Sequence, residues 1–173
     1  MLHTISVLVD NHFGVLARIS GLFSARGYNI ESLCVGVTED PSVSRMTVAA
    51  HGDERVLEQI VAQLHKLVEV IEVKDLTRDK HVERELVLIK VAADASRRTE
   101  LLEVCNIFRA KVIDMSAEAV IVEVTGSEDK IAAFIDMVRP FGIVELARTG
   151  KIALSRTLNG RPSKTDAAAK GAS

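Results

Sequence analysis

The chain has 173 residues, 47% apolar and 27% charged, with 22 basic against 24 acidic side chains for a formal charge of -2. This composition suits one sizeable domain or two small ones, and it excludes a membrane-spanning apolar run and any general attraction to nucleic acid or anionic membranes. Aromatics at 3%, with no tryptophan, leave few platforms on which bases could stack.

The first residues pass directly into an alternating pattern, without the basic segment, apolar stretch and cleavage site of a secretory signal, so the expected location is the cytoplasm. Residues 3–9 alternate apolar and polar, with Ile5, Val7 and Val9 on one side, as in a half-buried strand. After the turn formed by Asp10, Asn11, His12, Phe13 and Gly14, the residues Val15, Leu16, Ile19, Leu22 and Phe23 recur at helical spacing. Gly27 follows as the expected stop. Residues 29–37 read as a strand, residues 38–42 with Asp40 and Pro41 as a turn, and residues 45–50 as the strand that closes a hairpin. Asp53 is placed to cap a second helix striped by Leu57, Ile60, Val61 and Leu64, and residues 68–74 form a fourth strand.

A polar, charged linker near residues 77–83 separates this first unit, residues 1–76, from a second over residues 84–158 in which the same order returns. Strands are expected near residues 85–92, 111–116, 119–125 and 143–147, and helices near 97–109 and after Ser127, a candidate cap. Residues 151–154 add a short edge strand, and residues 159–173, without an apolar stripe, read as a mobile tail. The fold class is therefore α+β: two consecutive ferredoxin-like βαββαβ units, each a four-stranded antiparallel sheet with two helices on one face. The opposite faces are left uncovered. Because Leu8 and other apolar residues alternate onto them, a partner subunit is expected to bury these faces or the sheet edges.

The turn before the first helix is the candidate site. Gly14 allows backbone angles that clash for other residues and lets a ligand approach the main chain. The first amides of the helix, at Val15 and Leu16, have no intrahelical partner and suit a small carboxylate, to which Asn11 adds a side-chain amide. An amino acid also needs acceptors for its ammonium and a small apolar socket, which asparagine and backbone carbonyls, with Val15, Leu16 and Ile30, can supply. The matching turn of the second unit, Ala93 to Arg97, lacks the glycine, so no effector is expected there. The five histidines are scattered without metal-ligand spacing, Cys34 and Cys105 read as small core residues, and no catalytic constellation or phosphate loop is present.

Asn11, Gly14, Val15, Leu16 and Arg18, followed by Gly21-Leu22-Phe23-Ser24 and Arg26-Gly27-Tyr28-Asn29-Ile30-Glu31-Ser32-Leu33, resemble the ACT domain of the small regulatory subunits of acetohydroxyacid synthase, also called acetolactate synthase. Asp40-Pro41, Ser44-Arg45-Met46-Thr47 and Gln63-Leu64-His65-Lys66-Leu67-Val68 continue the likeness. His81-Val82-Glu83-Arg84-Glu85-Leu86 and Glu145-Leu146-Ala147-Arg148-Thr149-Gly150 carry it through the second unit. The resemblance implies a chain without catalytic activity or a cofactor of its own, which activates a large catalytic subunit carrying thiamine diphosphate, FAD and magnesium. It also implies feedback inhibition by valine in branched-chain amino acid biosynthesis, with ACT domains paired side by side in a homodimer. Valine would lie between the turn of one chain, at Asn11, Gly14, Val15 and Leu16, and the strand start of the other, at Asn29 and Ile30. His12 and Phe13 fill places that vary within the family. The alternative is a stand-alone amino-acid-sensing protein of the ACT type that regulates another partner.

Overall fold

The computed structural model describes residues 1–25 and 28–156. Gly27, the expected stop of the first helix, and the tail at residues 159–173 lie outside the described residues. The element order is β1 (Leu2–Asp10), α1 (Val15–Ala25), β2 (Asn29–Val37), β3 (Val43–His51), α2 (Glu54–Leu64), β4 (Val70–Asp75), β5 (His81–Ala92), α3 (Arg98–Phe108), β6 (Lys111–Met115), β7 (Ala119–Gly126), α4 (Glu128–Val138), β8 (Ile143–Arg148) and β9 (Ile152–Ser155), with a short 3-10 turn at Arg139–Phe141 before β8. The repeated order gives two compact units, one of Met1–Val82 together with the described residues from Lys151 onward, the other Glu83–Gly150.

In the first unit the strand order is β2-β3-β1-β4, all antiparallel. Ile5, Val7 and Val9 of β1 and Met46, Val48 and Ala50 of β3 face the helices, where Val15, Ile19 and Phe23 of α1 and Leu57, Ile60 and Leu64 of α2 complete the core. The period-2 and period-3.6 stripes of the sequence meet in this layer. Asp53 caps α2 as expected, its side chain accepting from the Val56 N–H at 2.9 Å. The fourth strand starts later than the apolar pattern suggests. Val68 is 93% exposed, in a turn closed by the Val70 N–H to Leu67 carbonyl bond at 3.1 Å.

The opposite face of this sheet corrects a second expectation. It is not left wholly to a partner, because residues that follow the second unit in sequence return to it. The Ala153 N–H of β9 donates to Thr47 Oγ1 at 3.4 Å and the Lys151 N–H to Ser32 Oγ at 3.4 Å. Thr47 and Ala49 beneath are buried. The sequence pattern places residues 151–156 in the second unit; their contacts group them with the first unit, while β9 pairs with β5.

The second unit repeats the plan with order β6-β7-β5-β8. Val87, Ile89 and Val91 of β5 and Val120, Val122 and Val124 of β7 pack against Leu101 and Cys105 of α3 and Ile131, Phe134 and Val138 of α4. Ser127 stands at the cap of α4 but its side chain makes no capping bond. The face away from the helices keeps Leu88 exposed and carries two ion pairs, Lys90 with Glu145 and Lys111 with Glu123, each at 3.9 Å.

Candidate functional site

The turn between β1 and α1 is braced at both ends. Asn11 donates its N–H to the Ser42 carbonyl at 2.7 Å and its side-chain Nδ2 to the Pro41 carbonyl at 2.9 Å, tying the turn to the hairpin loop. His12 Nδ1 lies 3.2 Å from the Phe13 carbonyl. Gly14 has φ +89°, a backbone region open to glycine and costly for side-chain-bearing residues. The first regular helical bond runs from the Arg18 N–H to the Gly14 carbonyl at 3.0 Å. The Leu16 and Ala17 amides, inside the first turn, therefore have no helical acceptor and give the mouth of α1 its anion-attracting character.

Two sequence expectations change in detail. One N–H of the Asn11 side-chain amide is committed to Pro41, so the side chain keeps its second N–H and its carbonyl oxygen, the latter an acceptor suited to an ammonium. The Val15 side chain is 4% exposed and belongs to the helix-facing core, so this residue meets the turn with backbone and not as a wall of the socket. Leu16, by contrast, is 45% exposed, and Ile30 is partly buried.

The register separates the site residues. On one side of the sheet Leu2 pairs with His51 and His51 with Asn29; on the other, Asp10 pairs with Val43 beside the Asn11 turn. From Leu2 to Asp10 at the usual rise of ~3.3 Å per residue is about 26 Å. Asn11, Gly14 and Leu16 thus share one end of the sheet while Asn29 and Ile30 lie at the other, too far apart within one chain for a valine-sized molecule to touch both.

Charged neighbours that pattern reading missed stand at both ends. Arg18, one helical turn beyond Gly14, pairs with Glu69, whose backbone carbonyl also accepts from the Asp10 N–H at 2.9 Å. The second carboxylate oxygen of Glu69, Oε2, is buried without a hydrogen-bond partner. At the far end His51 Nε2 contacts Glu31 Oε2 at 2.5 Å beside Asn29. The spacing from Gly14 to Arg18 was readable, but no local signal links Arg18 to Glu69 across 51 residues.

The equivalent turn of the second unit is chemically closed. Asp94 Oδ1 accepts from the Ser96 N–H at 2.9 Å, the Ser96 hydroxyl at 2.6 Å and the Arg97 N–H at 3.1 Å. The Ser96 side chain and then the two backbone amides hold the Asp94 carboxyl below its usual range. A resident carboxylate therefore occupies the helix start that the first unit leaves open. Among the described residues no group of three or more His, Cys, Asp or Glu side chains is arranged to hold a metal, and no helix is long and apolar enough to cross a membrane.

The strand order, the glycine turn before α1 and the repeated βαββαβ plan define a protein of two ferredoxin-like units, the first an ACT domain. Residues 5–72 match the family described as "AHAS small subunit-like ACT domain" and residues 84–157 the family described as "Small subunit of acetolactate synthase". The chain is 56% identical over 156 residues to a probable acetolactate synthase small subunit of Archaeoglobus fulgidus, covering 90% of this chain and 98% of the relative. It is 52% identical to the acetolactate synthase small subunit of Aquifex aeolicus, covering 91% and 82%. The crystal structure of the Thermotoga maritima acetolactate synthase small subunit superposes with a TM-score of 0.84 at 40% identity, covering 92% of this chain and 99% of that one. The chain belongs to the family of acetolactate synthase small subunits.

Proposed function

We propose that this chain is a non-catalytic cytoplasmic regulatory subunit that binds a catalytic acetolactate synthase subunit, raises its activity and makes it answer to valine, the end product of the pathway. Thiamine diphosphate, FAD and magnesium belong on this reading to the catalytic partner. The observation that carries the proposal is the placement of the site halves at opposite ends of one sheet, because a two-fold pair through β2 reunites them. With two β2 strands antiparallel about Leu33, near the strand centre, Asn29 of one copy lies opposite Val37 of the other. Val37 pairs with Ser44, and Ser44 with Val9, one residue before Asp10. The strand start of one copy then lies at the sheet end that bears the other copy's Gly14 turn.

The two sheet edges differ in a way that supports this pairing. β4 carries Glu72 and Lys74, joined at 2.9 Å, the sort of charge that protects an edge. β2 has no Lys, Arg or Pro, and its second half is Leu33, Cys34, Val35, Gly36 and Val37, with Val37 66% exposed. The charge of β2 is confined to its first half, where Glu31 meets His51, so the five residues Leu33 to Val37 form an apolar stretch of edge that invites a second strand.

At the composite site the effector carboxylate meets the α1 amides, the ammonium meets the Asn11 and Asn29 carbonyl oxygens, and the side chain meets Leu16 and Ile30. Inhibition then requires valine to favour the arrangement of the pair that activates the catalytic subunit poorly, since equal binding to both would shift nothing. Couplings of this kind are typically ~1–3 kcal/mol, so inhibition is expected to be partial. The test is an assay of the catalytic subunit with and without this chain while valine is titrated, repeated with Asn29→Ala. The expected result is activation by both forms and a valine midpoint shifted upward in the variant. No activation by the wild-type chain would overturn the assignment.

A further inference from the structure

Phe13 is 103% exposed, the most exposed large apolar side chain of the described residues. It does not sit in a fraying segment. The Asn11 bonds to Ser42 and Pro41 precede it, and the Arg18 N–H to Gly14 carbonyl bond follows. A braced turn thus holds an aromatic ring fully in water, with its apolar surface unused. Ordinary apolar exposure is unremarkable in single scattered residues, but this ring adjoins the glycine of the helix start. The second unit, whose helix start is filled by Asp94, has no aromatic residue from Ala93 to Arg97.

We propose that Phe13 of one copy closes over the effector against the Ile30 end of β2 in the second copy, and that its ring sets how large an effector side chain the site accepts. This rests on the valine-binding dimer proposed above. In that dimer the start of β2, with Asn29 and the partly buried Ile30, approaches the turn of the other copy. The occupant of the space beside Phe13 is therefore another copy of this chain, with the ligand between. Leu16, 45% exposed on the first turn of α1, supplies the lower wall, and Phe13 is the large apolar side chain of the turn that supplies the upper one; His12 beside it is polar, with Nδ1 3.2 Å from the Phe13 carbonyl. Val15 is already spent in the core.

The experiment is calorimetry of the full chain with valine and with leucine, comparing wild type, Phe13→Ala and Phe13→Leu, with the oligomeric state followed by analytical ultracentrifugation. Wild type is expected to prefer valine. Removing the ring is expected to lower the valine-to-leucine affinity ratio by about tenfold, the lower end of what one methylene contributes in an apolar pocket. Phe13→Leu, which keeps an apolar wall, is expected to fall between and supplies the ratio if Phe13→Ala binds neither ligand. A ratio equal to wild type in both variants overturns the role of Phe13 while leaving the valine site standing. A wild-type chain that dimerises but binds neither amino acid overturns the effector reading itself, and this role with it.

Discussion

Replacing Gly14 separates the backbone strain of its positive φ from the effector contact proposed for its turn. A Cβ built there meets no atom within 4 Å, so the cost of any side chain comes from φ +89° and not from a clash. For alanine that cost is about 1–2 kcal/mol of stability. Gly14→Asp carries a backbone cost no greater than that of alanine, since aspartate tolerates positive φ better, and adds a negative charge beside the α1 amides, where the effector carboxylate is proposed to bind. Two unit charges about 5 Å apart at an effective dielectric constant of about 20 repel by ~3 kcal/mol; allowing for the openness of the turn, the expected loss of valine affinity is roughly 30- to 150-fold. Chemical denaturation should therefore show Gly14→Asp no less stable than Gly14→Ala, while valine titration of the activated catalytic subunit separates them in the opposite order. Gly14→Ala should keep most of the response and Gly14→Asp should lose it with activation retained. An unchanged valine midpoint in Gly14→Asp would refute the carboxylate position, and equal loss in both variants would reduce the effect to backbone strain.

Val35→Lys puts a charge on the apolar stretch of β2 and should dissociate the proposed dimer, as ultracentrifugation would register; valine binding should fall with it, because on the proposed reading the site is shared between two copies. Asp94 should give the second unit an acid-sensitive contribution to stability. Its folded carboxyl lies below the ordinary value of about 3.9, so the contribution is complete above that value and is lost as pH falls through the lower, folded one. Thermal unfolding across that acid range should show the loss in wild type and a flatter profile in Asp94→Asn. Of the two cysteines, burial pushes the Cys105 thiol up, while Cys34 lies partly exposed on the β2 edge. Thiol reagents should label Cys34 first, and mass spectrometry should find that labelling slowed at concentrations where the chain dimerises.

The amino-acid order by itself determined the elements, because each needs only a local period and local punctuation. Ile5, Val7 and Val9 alternate, Leu57, Ile60, Val61 and Leu64 recur at helical spacing, and Asp53 offers a cap whose bond spans three residues. The glycine turn was legible for the same reason, and so was the repeat of the whole plan. Tertiary structure alone decided what depends on groups distant in the chain: that Val15 turns into the core, that Glu69 comes to Arg18, and that the Ala153 N–H reaches the Thr47 hydroxyl. It also decided that the Gly14 turn and Asn29, 15 positions apart in sequence, stand at opposite ends of that sheet. The physical reason is register: local propensity makes a strand, but pairing with its neighbours fixes where each residue comes to lie.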